Sequence, residues 1–169
     1  MEDIVNEIDT LPQSSVGAPI PFVIASESYV VLFYYLQNTP PDWDGQYVKV
    51  VGSNTRGEPL AIITFKRCYA HFFGPPNDES FSGHPLASKG LGPYSVYEID
   101  NSSWIKEFER RNSVHPYHNT EKFLLDKRHF IFSFHDTTFE CIAKDFEIET
   151  KVGSINEAVR IKFNELSES

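Results

Sequence analysis

His129-Phe-Ile-Phe-Ser-Phe-His135-Asp-Thr-Thr-Phe-Glu-Cys-Ile-Ala143 alternates aromatic and polar residues on both sides of a short polar break. Side chains of a strand point to opposite faces with period two, so this stretch reads as a β-hairpin. A two-residue turn at Asp136-Thr137 sets His135 opposite Thr138, Phe134 opposite Phe139, Ser133 opposite Glu140 and Phe132 opposite Cys141. One face then collects Phe130, Phe132, Phe134, Phe139, Cys141 and Ala143, a core face on which Cys141 is an inert thiol. The other face gathers Ser133, His135, Thr138 and Glu140. A three-residue loop is the competing register and brings His135 and Ser133 beside Cys141. The first separates apolar from polar residues without exception and is preferred.

Working outward, the hairpin extends over 129–149 and is preceded by further strand signals. Phe22–Ala25, Tyr29–Leu36, Tyr47–Val51, Leu60–Phe72 (with Cys68 inside it) and Tyr94–Ile99 read as strands. Most are joined by short turn-rich segments such as Asn38–Gly45 and Ser53–Gly57, and strands without intervening helices pair antiparallel. Ile4, Val5, Ile8 and Leu11 fall at helical spacing before Pro12, so residues 1–15 read as an N-terminal helix or a flexible arm. Asp100–Ser103 supplies N-caps for an inserted helix bearing Trp104, Ile105 and Phe108, which ends before Pro116. Ser154-Ile-Asn-Glu157 is a capping-box pattern opening a C-terminal amphipathic helix with Ile155, Val159, Phe163 and Leu166 on one stripe. The expected fold is a single α+β domain over 1–169, mainly antiparallel β, curved or sandwich-like, with an inserted helix and a C-terminal helix.

Composition agrees. The chain has 169 residues with 14 Phe and 8 Tyr, enough large side chains for one packed core. Its net charge of -9 leaves no basic patch of the kind that duplex nucleic acid or an anionic membrane requires. The expected partner is a small molecule or a basic protein. No signal-peptide pattern opens the chain and no apolar run is long enough to span a bilayer, so a cytoplasmic protein with reduced thiols is expected.

The 73–94 segment is the functional candidate. It has neither helical nor strand periodicity, is longer than ordinary connections, and its prolines and glycines fix a path. It carries Asn77, Asp78, Glu79, Ser82 and His84. We expect it to fold back so that Asn77, Glu79 or His84 meets His115, His118 or the hairpin face with His135 and Glu140, the usual make-up of a small-ligand cleft. On that face His135 could act as a base oriented by Glu140, though a cross-strand hydrogen-bonded pair is the commoner arrangement. His115-Pro-Tyr-His118 offers two metal ligands, with a third from His84, Glu79 or His135, but the spacing is not diagnostic. Asn77-Asp78-Glu79 could equally be an Asx turn. No nucleophile elbow, phosphate-binding glycine loop or dinucleotide fingerprint occurs, and no cofactor is specified.

Gly74-Pro-Pro-Asn-Asp-Glu79, Gly83-His-Pro-Leu86, Asn101-Ser-Ser-Trp-Ile105, Asn112-x-Val-His-Pro116 and Phe134-His-Asp-x-Thr-Phe-Glu-Cys141 together resemble a set of uncharacterised bacterial proteins. The resemblance spans about the latter half of the chain and implies no activity. The function expected from the residues is a binding or interaction protein with a polar His/carboxylate cleft. The alternative is a small enzyme using His and Glu/Asp, with or without a metal.

Overall fold

The computed structural model describes residues 2–39, 45–46 and 49–168. Its strands are β1 (Ile4–Glu7), β2 (Phe22–Ala25), β3 (Val30–Tyr35), β4 (Glu58–Lys66), β5 (Ala70–Gly74), β6 (Val96–Asp100), β7 (Arg128–Ser133), β8 (Thr138–Ala143) and β9 (Asp145–Gly153). The helices are α1 (Ser103–Asn112), α2 (Thr120–Leu125) and α3 (Ile155–Ser167). Two antiparallel sheets form, in the orders β1-β6-β7-β8-β5 and β2-β3-β4-β9. The α+β, sheet-rich expectation therefore holds, in its sandwich form.

Between the sheets lie Val30, Leu32, Tyr34, Ala61, Ile63 and Phe65 from one side and Phe130, Phe132, Phe134, Phe139, Cys141 and Ala143 from the other. This is the apolar set that the period-two alternation of 129–143 specifies. The outer face of the four-stranded sheet packs Val31, Phe33, Tyr35, Leu60 and Ile62 under Ile155 and Ala158 of α3. Strand β3, apolar on both faces, is accordingly buried at every position. Tyr35 ties these parts together: its hydroxyl faces the carbonyls of Gly52 and Thr55 at 3.2 and 3.0 Å and accepts the Ile155 N–H at 3.1 Å.

The outer face of the five-stranded sheet is covered by the 73–94 segment. Phe81, Leu86 and Leu91 pack there on Tyr97, Ile99 and Ile131. Beyond the end of β5 the segment consists of two 3-10 turns, Phe81–Gly83 and Ala87–Lys89, pinned to the sheet by short hydrogen bonds. Thr138 Oγ1 donates to Pro76 O at 2.9 Å, and Ser133 Oγ lies 2.9 Å from Gly92 O.

Several expectations are corrected. Residues 4–7 are a strand paired with β6, not a helix. A short peptide helix is marginal in water, whereas an open sheet edge offers four paired residues and burial beside Ile99. The apolar run 60–72 is two strands in different sheets: Arg67, at φ 50°, turns the chain and leaves Cys68 in the corner. Residues 145–149 likewise leave the hairpin and join β4 in the other sheet. Of the expected strand 47–51, Tyr47 and Val48 lie outside the described residues, and Lys49–Val51 are not in a strand.

The hairpin register also differs. Ser133 pairs with Thr138, Phe132 with Phe139, Ile131 with Glu140 and Phe130 with Cys141. The connection is thus the four residues Phe134–Thr137, closed by Phe134 N–H to Thr137 O at 2.9 Å. The shift is by two residues, so every strand side chain keeps its expected face. It moves His135 off the sheet and into the turn.

Candidate functional site

Period-two alternation along β7 and β8 puts His129, Ile131, Ser133, Thr138, Glu140 and Ile142 on the outer face of the five-stranded sheet. Glu140 sits there with Ile131 and Phe72 as its cross-strand neighbours. His84, delivered by the covering segment, places Nε2 3.0 Å from Glu140 Oε1. His129, from β7, places Nε2 3.1 Å from Oε2 of the same carboxylate. Both rings are almost fully buried, while Glu140 keeps 17% of its side chain exposed.

The other nitrogen of each ring fixes the roles. His84 Nδ1 accepts the Leu86 N–H at 3.1 Å, so it carries no proton and Nε2–H donates to Glu140. His129 Nδ1 lies 2.9 Å from Ser102 Oγ. That hydroxyl accepts the Ile105 N–H as the N-cap of α1, at 3.2 Å, and its own proton can be assigned to His129 Nδ1. With this assignment Ser102, buried to 3% exposure, has both donor and acceptor satisfied, and His129 also donates through Nε2. Burial opposes ionisation of Glu140, but the hydrogen bonds from His129 and His84 outweigh it and hold its pKa at about 2. The group is a carboxylate gripped by the Nε2 sides of two imidazoles.

These residues floor a cleft of about 700 Å³. Its lining includes Phe72, Pro75, Pro76, Pro85 and Leu86 from β5 and the segment after it, and Trp104 and Glu107 from α1. Phe81 stacks on His84 with centroids 5.7 Å apart, and Trp104 lies 5.1 Å from His129. A carboxylate has room for about four hydrogen bonds and two are taken, so Glu140 retains acceptor capacity toward the cleft.

A second polar cluster lies at the hairpin turn. His135 Nδ1 is 2.9 Å from Asp78 Oδ2 and 3.1 Å from the Tyr94 hydroxyl, which also donates to Asp78. The Asp78 N–H bonds the His135 carbonyl at 2.9 Å. Tyr94 adopts φ 62°, a conformation that costs a non-glycine residue energy and is held here by its hydroxyl. Hydrogen bonds from Tyr94 and then His135 lower the Asp78 pKa, and the Asp78 carboxylate pushes Tyr94 up to about 12.

The expected site residues thus divide. His84 and Glu140 meet as anticipated. His135 binds Asp78 and Tyr94 and makes no bond to Glu140, because the four-residue turn carries it beyond the strand. Asn77 caps a local turn, accepting the Ser80 N–H at 3.2 Å, and Glu79 is exposed. His115 is exposed and bonds the Tyr117 N–H, while His118 is fastened to Glu109 at 2.7 Å and Asn112 at 3.0 Å between α1 and α2. Neither reaches the cleft lining. Among the described residues no three His, Cys, Asp or Glu side chains converge as a metal-binding set. His129, Ser102 and Trp104 are the residues that sequence reasoning did not assign to the site, although it placed Ser102 in the capping stretch and Trp104 on the inserted helix. The signal for His129 was present, since alternation from Phe130 places it on the Glu140 face.

No family model matches the chain, and the searches of curated proteins and of solved structures likewise return no match. Among the described residues no helix is long and apolar enough to cross a membrane.

Proposed function

We propose that this protein binds a small, partly apolar ligand in the cleft between α1 and the 73–94 segment. The observation that carries the reading is Glu140. An ionised carboxylate is held by two imidazole N–H groups against a wall of proline, leucine and aromatic side chains, with acceptor capacity left over. Apolar walls with a few fixed polar groups are the usual composition of ligand sites. Glu140 is a weak base at neutral pH because its proton leaves near pH 2, which favours recognition over proton transfer. Work in the cytoplasm, without nucleic acid or membrane as partner, and kinship with the bacterial proteins that share the motif string belong to the same proposal. A charge-diverse fragment library screened by NMR on ¹⁵N-labelled protein tests it. Hits should move the Trp104 indole and the amides of Leu86 and Gly83, and Trp104→Ala should abolish them. Hits confined to other surfaces would refute it.

A small enzyme is the second reading, and His135 favours it. Asp78 Oδ2 lies 2.9 Å from Nδ1 of a ring that is 43% exposed, as a carboxylate that orients a general base would, with Asp136 Oδ1 4.0 Å from its Nε2. Carbethoxylation mapped by mass spectrometry tests this. Labelling of His135 well ahead of the exposed His71 and His115 supports an activated imidazole; equal rates oppose it.

A further inference from the structure

Resting on the reading of the cleft as a ligand site, we propose that its occupant is an organic cation, an ammonium group carried on a flat apolar body. The charge count at the cleft floor carries this. His84 is neutral because its Nδ1 accepts a backbone N–H. His129 sets Nε2 3.1 Å from Glu140 and Nδ1 2.9 Å from Ser102 Oγ, a hydroxyl that can satisfy the Nδ1 of a neutral ring by donating to it. Glu140 accepts from both rings and keeps acceptor capacity toward the cleft.

Among the described residues neither lysine nor arginine lines the cleft. Of the two carboxylates that line it among the described residues, Glu107 is engaged by Arg111, whereas Glu140 meets only imidazoles and faces the cleft without a lysine or arginine beside it. The two imidazole bonds keep Glu140 ionised, and its remaining acceptor capacity suits a ligand ammonium group bound by a charge-assisted hydrogen bond. An anion or a neutral acceptor would leave Glu140 facing another lone pair. The walls suit the rest of such a molecule: Trp104, Phe72 and Pro76 line the cleft, and aromatic rings attract cations and stack on flat groups.

Tryptamine, tryptophol and indole-3-acetate share the indole body and differ in the charge of the side chain. Titrated into ¹⁵N-labelled protein with the Trp104 indole as reporter, tryptamine should bind about tenfold more tightly than tryptophol, the worth of one charge-assisted hydrogen bond. Indole-3-acetate should bind more weakly than either. Glu140→Gln should bring tryptamine and tryptophol to nearly equal affinity. If that variant does not fold, the order of the three affinities on the native protein decides. Tryptophol or indole-3-acetate binding at Trp104 as well as tryptamine would overturn the cation while leaving the cleft as a ligand site. No shift of Trp104 with any of the three would also overturn the cation, and the fragment screen then judges the cleft separately.

Discussion

Glu140 makes a specific contribution to acid stability. Its folded pKa of about 2 lies below its ordinary 4.5, so the stability it adds is fully present above about pH 4.5 and is lost as pH falls toward 2. The difference corresponds to about 3 kcal/mol. Asp3, Asp78, Glu109 and Glu149 also have lowered pKa values, so the contrast with Glu140→Gln isolates its share. Urea unfolding at pH 7 and pH 3 should show the native protein losing more stability than the variant; parallel losses would contradict the assignment. The two thiols give a second expectation. Cys141 has no exposed surface, and burial pushes its thiol well up, whereas Cys68 is half-buried at the corner between β4 and β5. Iodoacetamide should modify native Cys68 and reach Cys141 only on unfolding. Rapid native labelling of Cys141 would mean that the β7–β8 faces are inverted. Those faces were legible in the sequence because a register error of two residues leaves them unchanged. The place of His135 was not, since nothing in Phe134-His-Asp-Thr-Thr138 marks a four-residue turn as glycine or Asn-Gly would.

At the scale of elements, two helix caps can be compared. Ser154 opens α3 by accepting the Glu157 N–H, and its replacement by alanine should cost about 1 kcal/mol. Ser102 caps α1 in the same manner, and its hydroxyl also bonds His129 Nδ1 at 2.9 Å. Ser102→Ala leaves a buried imidazole nitrogen unpaired, so its cost should reach about 2–3 kcal/mol, read from denaturant midpoints. Equal losses would mean that the Ser102–His129 bond contributes nothing. Both caps were readable because hydroxyl caps act locally. The elements that escaped notice are governed by partners distant in sequence. Strand β1 is set by the edge of β6 rather than by its own helical spacing, and α2 spans six residues, too short for periodicity.

For the whole molecule, Phe65 is a residue through which the two sheets meet. Its ring packs on Phe130, Phe132 and Phe139 of the opposite sheet and on Phe146 of its own, with centroids 5.3–6.3 Å apart. Phe65→Ala should cost about 3–5 kcal/mol. The surface network at His135 makes a useful comparison: His135→Ala should cost about 1 kcal/mol, since the Asp78–His135 backbone bond survives it. The sandwich holds the outer face of one sheet rigid, and α1 and the 73–94 segment enclose the cleft above it. That covering was foreshadowed by the length and composition of the segment. Its target was not, because which strand residues it meets depends on sheet order. The claim on which the site stands is that two neutral imidazoles grip one carboxylate. Long-range ¹⁵N–¹H correlation of the histidine rings at pH 7 measures it directly. The structure predicts that His84 and His129 are both Nε2–H tautomers with Nδ1 unprotonated, and that Glu140→Gln perturbs both rings together. A ring protonated on both nitrogens, or carrying its proton on Nδ1, would contradict it.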